Sequence, residues 1–190
     1  MFGSSEDQTV TPLDPDIFWE FSLSAYARPG VANLCLALQD DHGLDVNLLL
    51  FCCWIARDRS ASVSEADILR LQGKIAPSNS EVVWPLRRAR RWLKAAAEAE
   101  DGLALAAART RALVKEAELA GERLAQHILA TSARVPTTGK KQSPLAAADM
   151  SLAAYARGAG AIGARFELRR LSRLILQPAS PEASAAPSRS

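Results

Sequence analysis

The stretch Asp14-Pro-Asp-Ile-Phe-Trp-Glu-Phe-Ser-Leu-Ser-Ala-Tyr-Ala-Arg-Pro-Gly30, then Val31-Ala-Asn-Leu-Cys-Leu-Ala-Leu-Gln-Asp-Asp-His-Gly43, then Leu44-Asp-Val-Asn-Leu-Leu-Leu-Phe-Cys-Cys-Trp-Ile-Ala-Arg57 decides the fold. Each piece opens on a helix-start signal and closes on a stop. Asp14 stands as N-cap before Pro15, whose missing N–H costs nothing at the first helical position. Arg28-Pro29-Gly30 breaks the first helix, because proline disfavours the α region for the residue before it. His42-Gly43 closes the second as a glycine C-cap, and Asp45 caps the third. Within that third piece Val46, Leu49, Leu50, Cys53 and Trp54 recur at helical spacing, the strongest such signal in the chain. Three short, heavily apolar helices packed on one another are predicted.

Working outward, Ser62-Val63-Ser64 followed by Asp67 opens a fourth helix through Ile68, Leu69 and Leu71, which Gly73 and Pro77 are expected to stop. Ser78-Asn79-Ser80 is expected to cap a fifth, with Val82, Val83, Leu86, Ala89 and Leu93 inward and Arg87, Arg88, Arg91 and Lys94 outward. Pro85 delays or bends its first turns. From Leu103 to Thr131 the set Leu103, Ala106, Thr110, Leu113, Ala117, Ala120, Leu124 and Ile128 advances by three and four. That spacing predicts a long alanine-rich helix with a coiled-coil seam, closed by the final helix of the same chain or by another chain. Gly121 weakens it slightly.

The expected organisation is a flexible arm over 1–13, a helical domain over 14–130, a loop over 131–143, a C-terminal helix over 144–177 and a disordered tail over 178–190. The fold class is all-α, an irregular bundle of about six to seven helices with a C-terminal helical extension.

Composition narrows the function classes. With 190 residues, 48% of them hydrophobic, the chain can bury one sizeable core, and a net charge of +2 does not by itself imply nucleic acid or membrane. The charge is segregated: Glu6, Asp7, Asp14, Asp16, Glu20, Asp40, Asp41 and Asp45 stand against Arg28 alone in residues 1–45, whereas residues 131–190 are basic. The simplest account is attraction between these ends within the fold, and the alternative is an acidic partner for the basic end. Three cysteines, Cys35, Cys52 and Cys53, build no disulfide framework and point to a reducing, cytoplasmic compartment. No signal peptide is legible, and the apolar run Val46–Ala56 is too short to span a bilayer.

The pattern Phe18-Trp19-x-Phe21-Ser22, Tyr26-x-x-Pro29-Gly30-Val31, Leu36-x-Leu38-Gln39-Asp40 and Gly43-Leu44-Asp45-Val46-Asn47-Leu48-Leu49-Leu50-Phe51 resembles a family of bacterial, mainly proteobacterial, conserved hypothetical proteins, domain of unknown function 2390. Leu86-Arg87-x-x-Arg90 is a weaker part of the same pattern. The resemblance covers residues 14 to about 94. It implies a small, all-helical, cytoplasmic bacterial protein and brings no activity, cofactor or catalytic residue.

Three readings of the chemistry compete. Asp40, Asp41, His42 and Asp45 are ligand types a divalent metal accepts, but a helix C-terminus and the next N-cap account for His42 and Asp45 structurally. The cysteines lie inside apolar helices as inert small hydrophobes, and His127 has no partner pattern, so no catalytic residue, metal ligand or cofactor is assigned and the reading leans away from an enzyme. The fourth and fifth helices resemble a helix-turn-helix in outline, with Trp84 and Trp92 among the arginines, which makes a nucleic-acid-binding regulator the first alternative and a small enzyme or metal-binding protein the second. The preferred expectation is a non-enzymatic interaction or regulatory protein that binds another protein or itself, without membrane insertion. Its candidate surface is Arg87, Arg88, Arg91, Lys94, Arg169, Arg170 and Arg173, with Phe166, Leu168, Leu171 and Ile175 as docking anchors. The four tryptophans would then mark the core.

Overall fold

The computed structural model describes residues 12–98, 103–134 and 142–177. The N-terminal arm up to residue 11, the linker 135–141 and the tail 178–190 lie outside the described residues. Helices α1 (Pro15–Tyr26), α2 (Val31–His42), α3 (Val46–Arg59), α4 (Glu65–Ser78), α5 (Trp84–Ala97), α6 (Ala104–Ser132), α7 (Pro144–Gly158) and α8 (Arg165–Leu176) account for the fold. Among the described residues there is no strand. The chain is all-α.

The caps at the front of the chain form where the residue types require them. Asp14 accepts from the Asp16 N–H at 2.9 Å, and Asp45 accepts from those of Asn47 and Leu48 at 2.8 and 3.2 Å, which satisfies N–H groups a helix start leaves orphaned. Gly43 closes α2 at φ 67°, a left-handed conformation that a Cβ would strain.

Helix α3 is the axis of the molecule. Ten consecutive residues, Asn47 to Ala56, are buried, so α3 is enclosed all round rather than packed along one stripe. Phe18 of α1 stacks on Trp54 with ring centroids 4.8 Å apart, and Phe51 meets both rings edge-on. Helices α1, α2, α6, α7 and α8 surround this axis. Full burial of each such side chain contributes about 1.5–3 kcal/mol, so the aromatic trio anchors the front of the chain.

The segment read as one C-terminal helix over 144–177 is two helices. Gly160 turns the chain at φ 70°, a 3-10 turn follows at Ile162–Ala164, and α8 folds back on α7. Both pairs of faces belong to the common core: Leu152 and Tyr155 of α7 and Leu168, Leu171 and Ile175 of α8 are buried. The last three are therefore unavailable as docking anchors, while Phe166 is exposed. Arg28, in the α1–α2 turn, donates to the Leu174 and Gln177 carbonyls and caps the end of α8.

Between α4 and α5 the expected break does not exist. Residues 79–83 form a π-helical turn, and Ser78, Asn79, Val83 and Trp84 all have right-handed helical dihedrals, so α4 and α5 form one rod that passes through Gly73 and Pro77. Two prolines bracket the turn, and each forbids the hydrogen bond that its ring position would otherwise make; the wider i→i+5 pattern accommodates this. A helix-turn-helix needs two helices meeting at a steep angle, so that outline is corrected. Asn79 does not cap α5. Its side chain donates instead to Asp45 Oδ2 at 2.7 Å.

The long helix forms, but its buried face is not the predicted seam. Ala107, Glu118, Gly121, Ala125, Gln126, Leu129 and Ala130 face inward, whereas Ala106, Thr110, Leu113, Ala117, Ala120 and Leu124 face solvent. The inner face is rotated by about one residue position. Its principal partner is α5, not the final helix, which packs on α7, α2 and α3. Gly121 is a close-approach position: a Cβ there would stand 3.2 Å from Val82 Cγ1 and 3.3 Å from Val83 Cγ2.

Candidate functional site

Helices α5 and α6 form a hairpin whose inner side closes a cleft over α1, α2 and the start of α3, and whose outer side faces solvent. The inner side carries the charge. Val83 at the end of the π turn and Leu93 on α5 are buried and fix which stripe faces the body, and the three-and-four spacing places Arg87 and Arg90 beside that stripe. Arginines half-removed from water need partners, and α6 supplies them from its own inner face. Arg87 donates through Nε to Glu118 at 3.0 Å, through Nη2 to Glu122 at 2.8 Å and through Nη1 to the Gln39 side-chain oxygen at 2.6 Å. Arg90 donates to both oxygens of Glu118. The expectation that Arg87 faces outward is therefore corrected: it bridges α5, α6 and α2.

This network sets the ionisation of its acids. Burial pushes the Glu118 carboxyl up, but the hydrogen bonds from Arg90 and Arg87 outweigh it and hold the group below the ordinary carboxylate value. Glu122, with only Arg87 to offset its burial, is raised. Burial also raises Asp45, against the opposing pull of the Leu48 N–H, the Asn79 amide and the Asn47 N–H. Asp45 does more than cap α3. Its own N–H donates to the Tyr155 hydroxyl at 2.8 Å, and through Asn79 it ties the π turn to the core.

Arg87 divides the cleft into two chambers. The larger, about 620 Å³, lies among Gln39, Asp45, Asn79, Trp84, Arg88 and Arg91. The smaller, about 370 Å³, has apolar walls from Trp19, Leu23, Tyr26, Leu36 and Leu119 over a floor of Asn47, Glu118 and Gln126. Gln126 donates to Asn47 Oδ1 at 2.9 Å, and its own carbonyl oxygen is buried without a hydrogen-bond partner.

Of the other predicted residues of α5, Arg88 and Arg91 line the larger chamber without joining the buried network, and Lys94 lies beyond it. Arg88 is exposed and makes no ion pair among the described residues. Arg91 approaches Asp40 at 3.7 Å and Lys94 approaches Glu98 at 4.0 Å, both exposed pairs of little energetic weight. Arg123 pairs with Asp16 at 2.9 Å. The acidic front thus meets basic residues of α5 and α6, while the basic C-terminal end contributes Arg157 to Glu65 of α4. Arg169, Arg170 and Arg173 are exposed on α8, which belongs to a different set of packed helices, so the two arginine groups do not form one surface.

The exposed indoles of α5, with Trp84 at the edge of the larger chamber, are where the tryptophan expectation fails. Only Trp54 is fully buried; Trp19 is half-buried, and Trp84 and Trp92 are 57% and 68% exposed. With Arg88 between them they stand at i, i+4 and i+8 on one face. Sequence reasoning placed these tryptophans inside because large aromatics normally are.

No three His, Cys, Asp or Glu side chains converge among the described residues, so Asp40, Asp41, His42 and Asp45 do not assemble as a ligand set. Cys35, Cys52 and Cys53 are free and buried, with the Cys35 and Cys52 thiols pushed up to about 12 by burial. No described helix is long and apolar enough to cross a membrane.

Against known proteins, no curated protein and no solved structure matches the chain. A family model described as "Protein of unknown function (DUF2390)" matches residues 17–129, past the resemblance at 14–94 and across almost all of α6. Covering more than half of the sequence, that match shows that the chain belongs to the DUF2390 family.

Proposed function

We propose that this is a non-enzymatic, helical interaction or regulatory protein of the bacterial cytoplasm, and that it engages another protein through the exposed face of α5 that borders the larger chamber. The observation that carries this reading is the exposed Trp84, Arg88, Trp92 row. Tryptophan and arginine dominate measured interface energies, and two exposed indoles on one helix face offer the large apolar area that a hot spot needs. The α8 arginines Arg169, Arg170 and Arg173, beside exposed Phe166, form a second and separate contact surface. The α5 reading is tested by capture from native lysate with the full chain as bait. A single stoichiometric partner is expected, lost with the Trp84→Ala/Trp92→Ala double variant while thermal stability stays unchanged. Retention of the same partner by that variant removes α5 from the interface.

A nucleic-acid-binding regulator is the second reading, favoured by the same alternation of indoles with Arg88 and Arg91, which suits base stacking and phosphate contact. It ranks second because α6 carboxylates neutralise Arg87 and Arg90, and Asp40 and Glu98 sit beside Arg91 and Lys94. Heparin retention that falls steeply with salt and is lost on replacing Arg88, Arg91 and Lys94 with alanine would establish it over the protein reading.

A further inference from the structure

The seam on α6 that the core leaves unused has its own regularity. Ala106, Thr110, Leu113, Ala117, Ala120 and Leu124 alternate steps of three and four without interruption, and every one of them is exposed. A helix packed on one body drifts toward a 3.6-residue repeat, whereas a strict seven-residue repeat matches a second helix wound around it. Thr110 fits such a seam because its hydroxyl already donates to the Ala106 carbonyl at 3.0 Å, so covering it strands no donor. The alanines allow close approach of two backbones.

We propose that α6 associates with α6 of a second copy of this chain, antiparallel, about a two-fold axis between Thr110 and Leu113, with Ala106, Thr110, Leu113 and Ala117 of each copy forming the shared seam. This deepens the interaction reading by naming one partner, and it rests on that reading only for the protein being an interaction protein; it uses a different helix face.

The flanks of the seam select both partner and direction. On one flank Ala107 and Gly121 are buried against the rest of the molecule, which removes the positions that a parallel pair would use for its flanking charges. The other flank carries Arg109, Glu116 and Arg123. Arg123 is held by Asp16, while Arg109 and Glu116 are exposed and make no ion pair among the described residues. In an antiparallel pair, Thr110 opposite the partner's Leu113 and Ala106 opposite the partner's Ala117 bring Arg109 beside the partner's Glu116, twice by symmetry. Sliding by one heptad sets Arg109 against the partner's Arg123 and Glu116 against itself. Like charges there disfavour that register, although it would bring Ala120 and Leu124 into the seam, so the charge pattern favours the first register over the second.

The test uses the full chain in sedimentation equilibrium. A reversible dimer is expected, and Leu113→Arg should abolish it with the helical circular dichroism and melting curve retained. Arg109→Glu and Glu116→Arg should each weaken the dimer by roughly 2- to 30-fold, because each acts at both symmetry-related pairs, and the double reversal should restore it. Mixing Ala106→Cys with Ala117→Cys chains should give a mixed disulfide that neither gives alone; the native thiols are buried and do not compete. A chain that remains monomeric at high concentration, a dimer indifferent to Leu113→Arg, or like-with-like cross-linking would each overturn the proposal. Failure here leaves partner capture through Trp84 and Trp92 intact, and failure of that capture leaves the dimer intact, so the two are separable.

Discussion

Removing the Glu118 carboxylate tests the ion network that joins the hairpin to the body. Glu118 has 7% of its side chain exposed, against 19% for Arg87 and 28% for Arg90. Glu118→Ala leaves Arg87 with Glu122 and Gln39, but takes away both of Arg90's hydrogen bonds. Breaking a fully buried pair costs about 3–5 kcal/mol. Arg90 can turn partly to water, so the expected loss is smaller, about 2–3 kcal/mol, or roughly 4–12 °C in melting temperature for a chain of this length. The assay is urea and thermal unfolding from pH 7 down to pH 3. Glu118 has a folded pKa held below its ordinary 4.5, so its stabilisation is complete above that value and disappears as pH falls through the depressed folded value. The gap between wild type and Glu118→Gln should therefore narrow below about pH 4.5. Glu122 and Asp45, both raised, act in the opposite sense: their contribution is fully present below their ordinary values and declines as pH rises through the folded ones, so they cannot imitate this signature. A Glu118→Ala protein within about 0.5 kcal/mol of wild type, or a gap constant down to pH 3, would refute the reasoning.

Two further outcomes follow from packing. Gly121→Val should destabilise the protein by about 1–3 kcal/mol, since its added carbons meet Val82 and Val83 at a spacing already tight for a Cβ, and urea unfolding measures the loss. The Cys35, Cys52 and Cys53 thiols should resist a thiol reagent at pH 8 in the native protein and react only in denaturant, because burial raises all three; modification of folded protein at the rate of free cysteine would contradict their placement.

Much of the front of the chain was legible in the sequence. Asp14, Gly43, Asp45 and Ser64 act at the helix ends assigned to them, because capping depends on residues within three positions and needs no knowledge of the rest of the fold. The family match also agrees with the residues that suggested it. Errors gathered where a local rule met a distant partner. Gly73 and Pro77 read as stops, yet the helix runs through them into a π turn whose Asn79 is held by Asp45, a residue far away in sequence. Arg87 read as outward from its charge, and it is Glu118 and Glu122 on α6, with Gln39 on α2, that stabilise its inward position.

The sequence alone determined that the chain is helical, where most of its helices start, and that α6 carries an apolar seven-residue repeat, because these are properties of periodicity and of neighbouring residues. Tertiary structure decided which stripe of α6 is buried. Two stripes one position apart compete for the core, and the choice fell to Gly121, where the helix closes on Val82 and Val83, and to Glu118, which lies against Arg87 and Arg90. That choice left the seam, Trp84 and Trp92 facing water, and periodicity cannot tell a face that packs within one molecule from a face that waits for another.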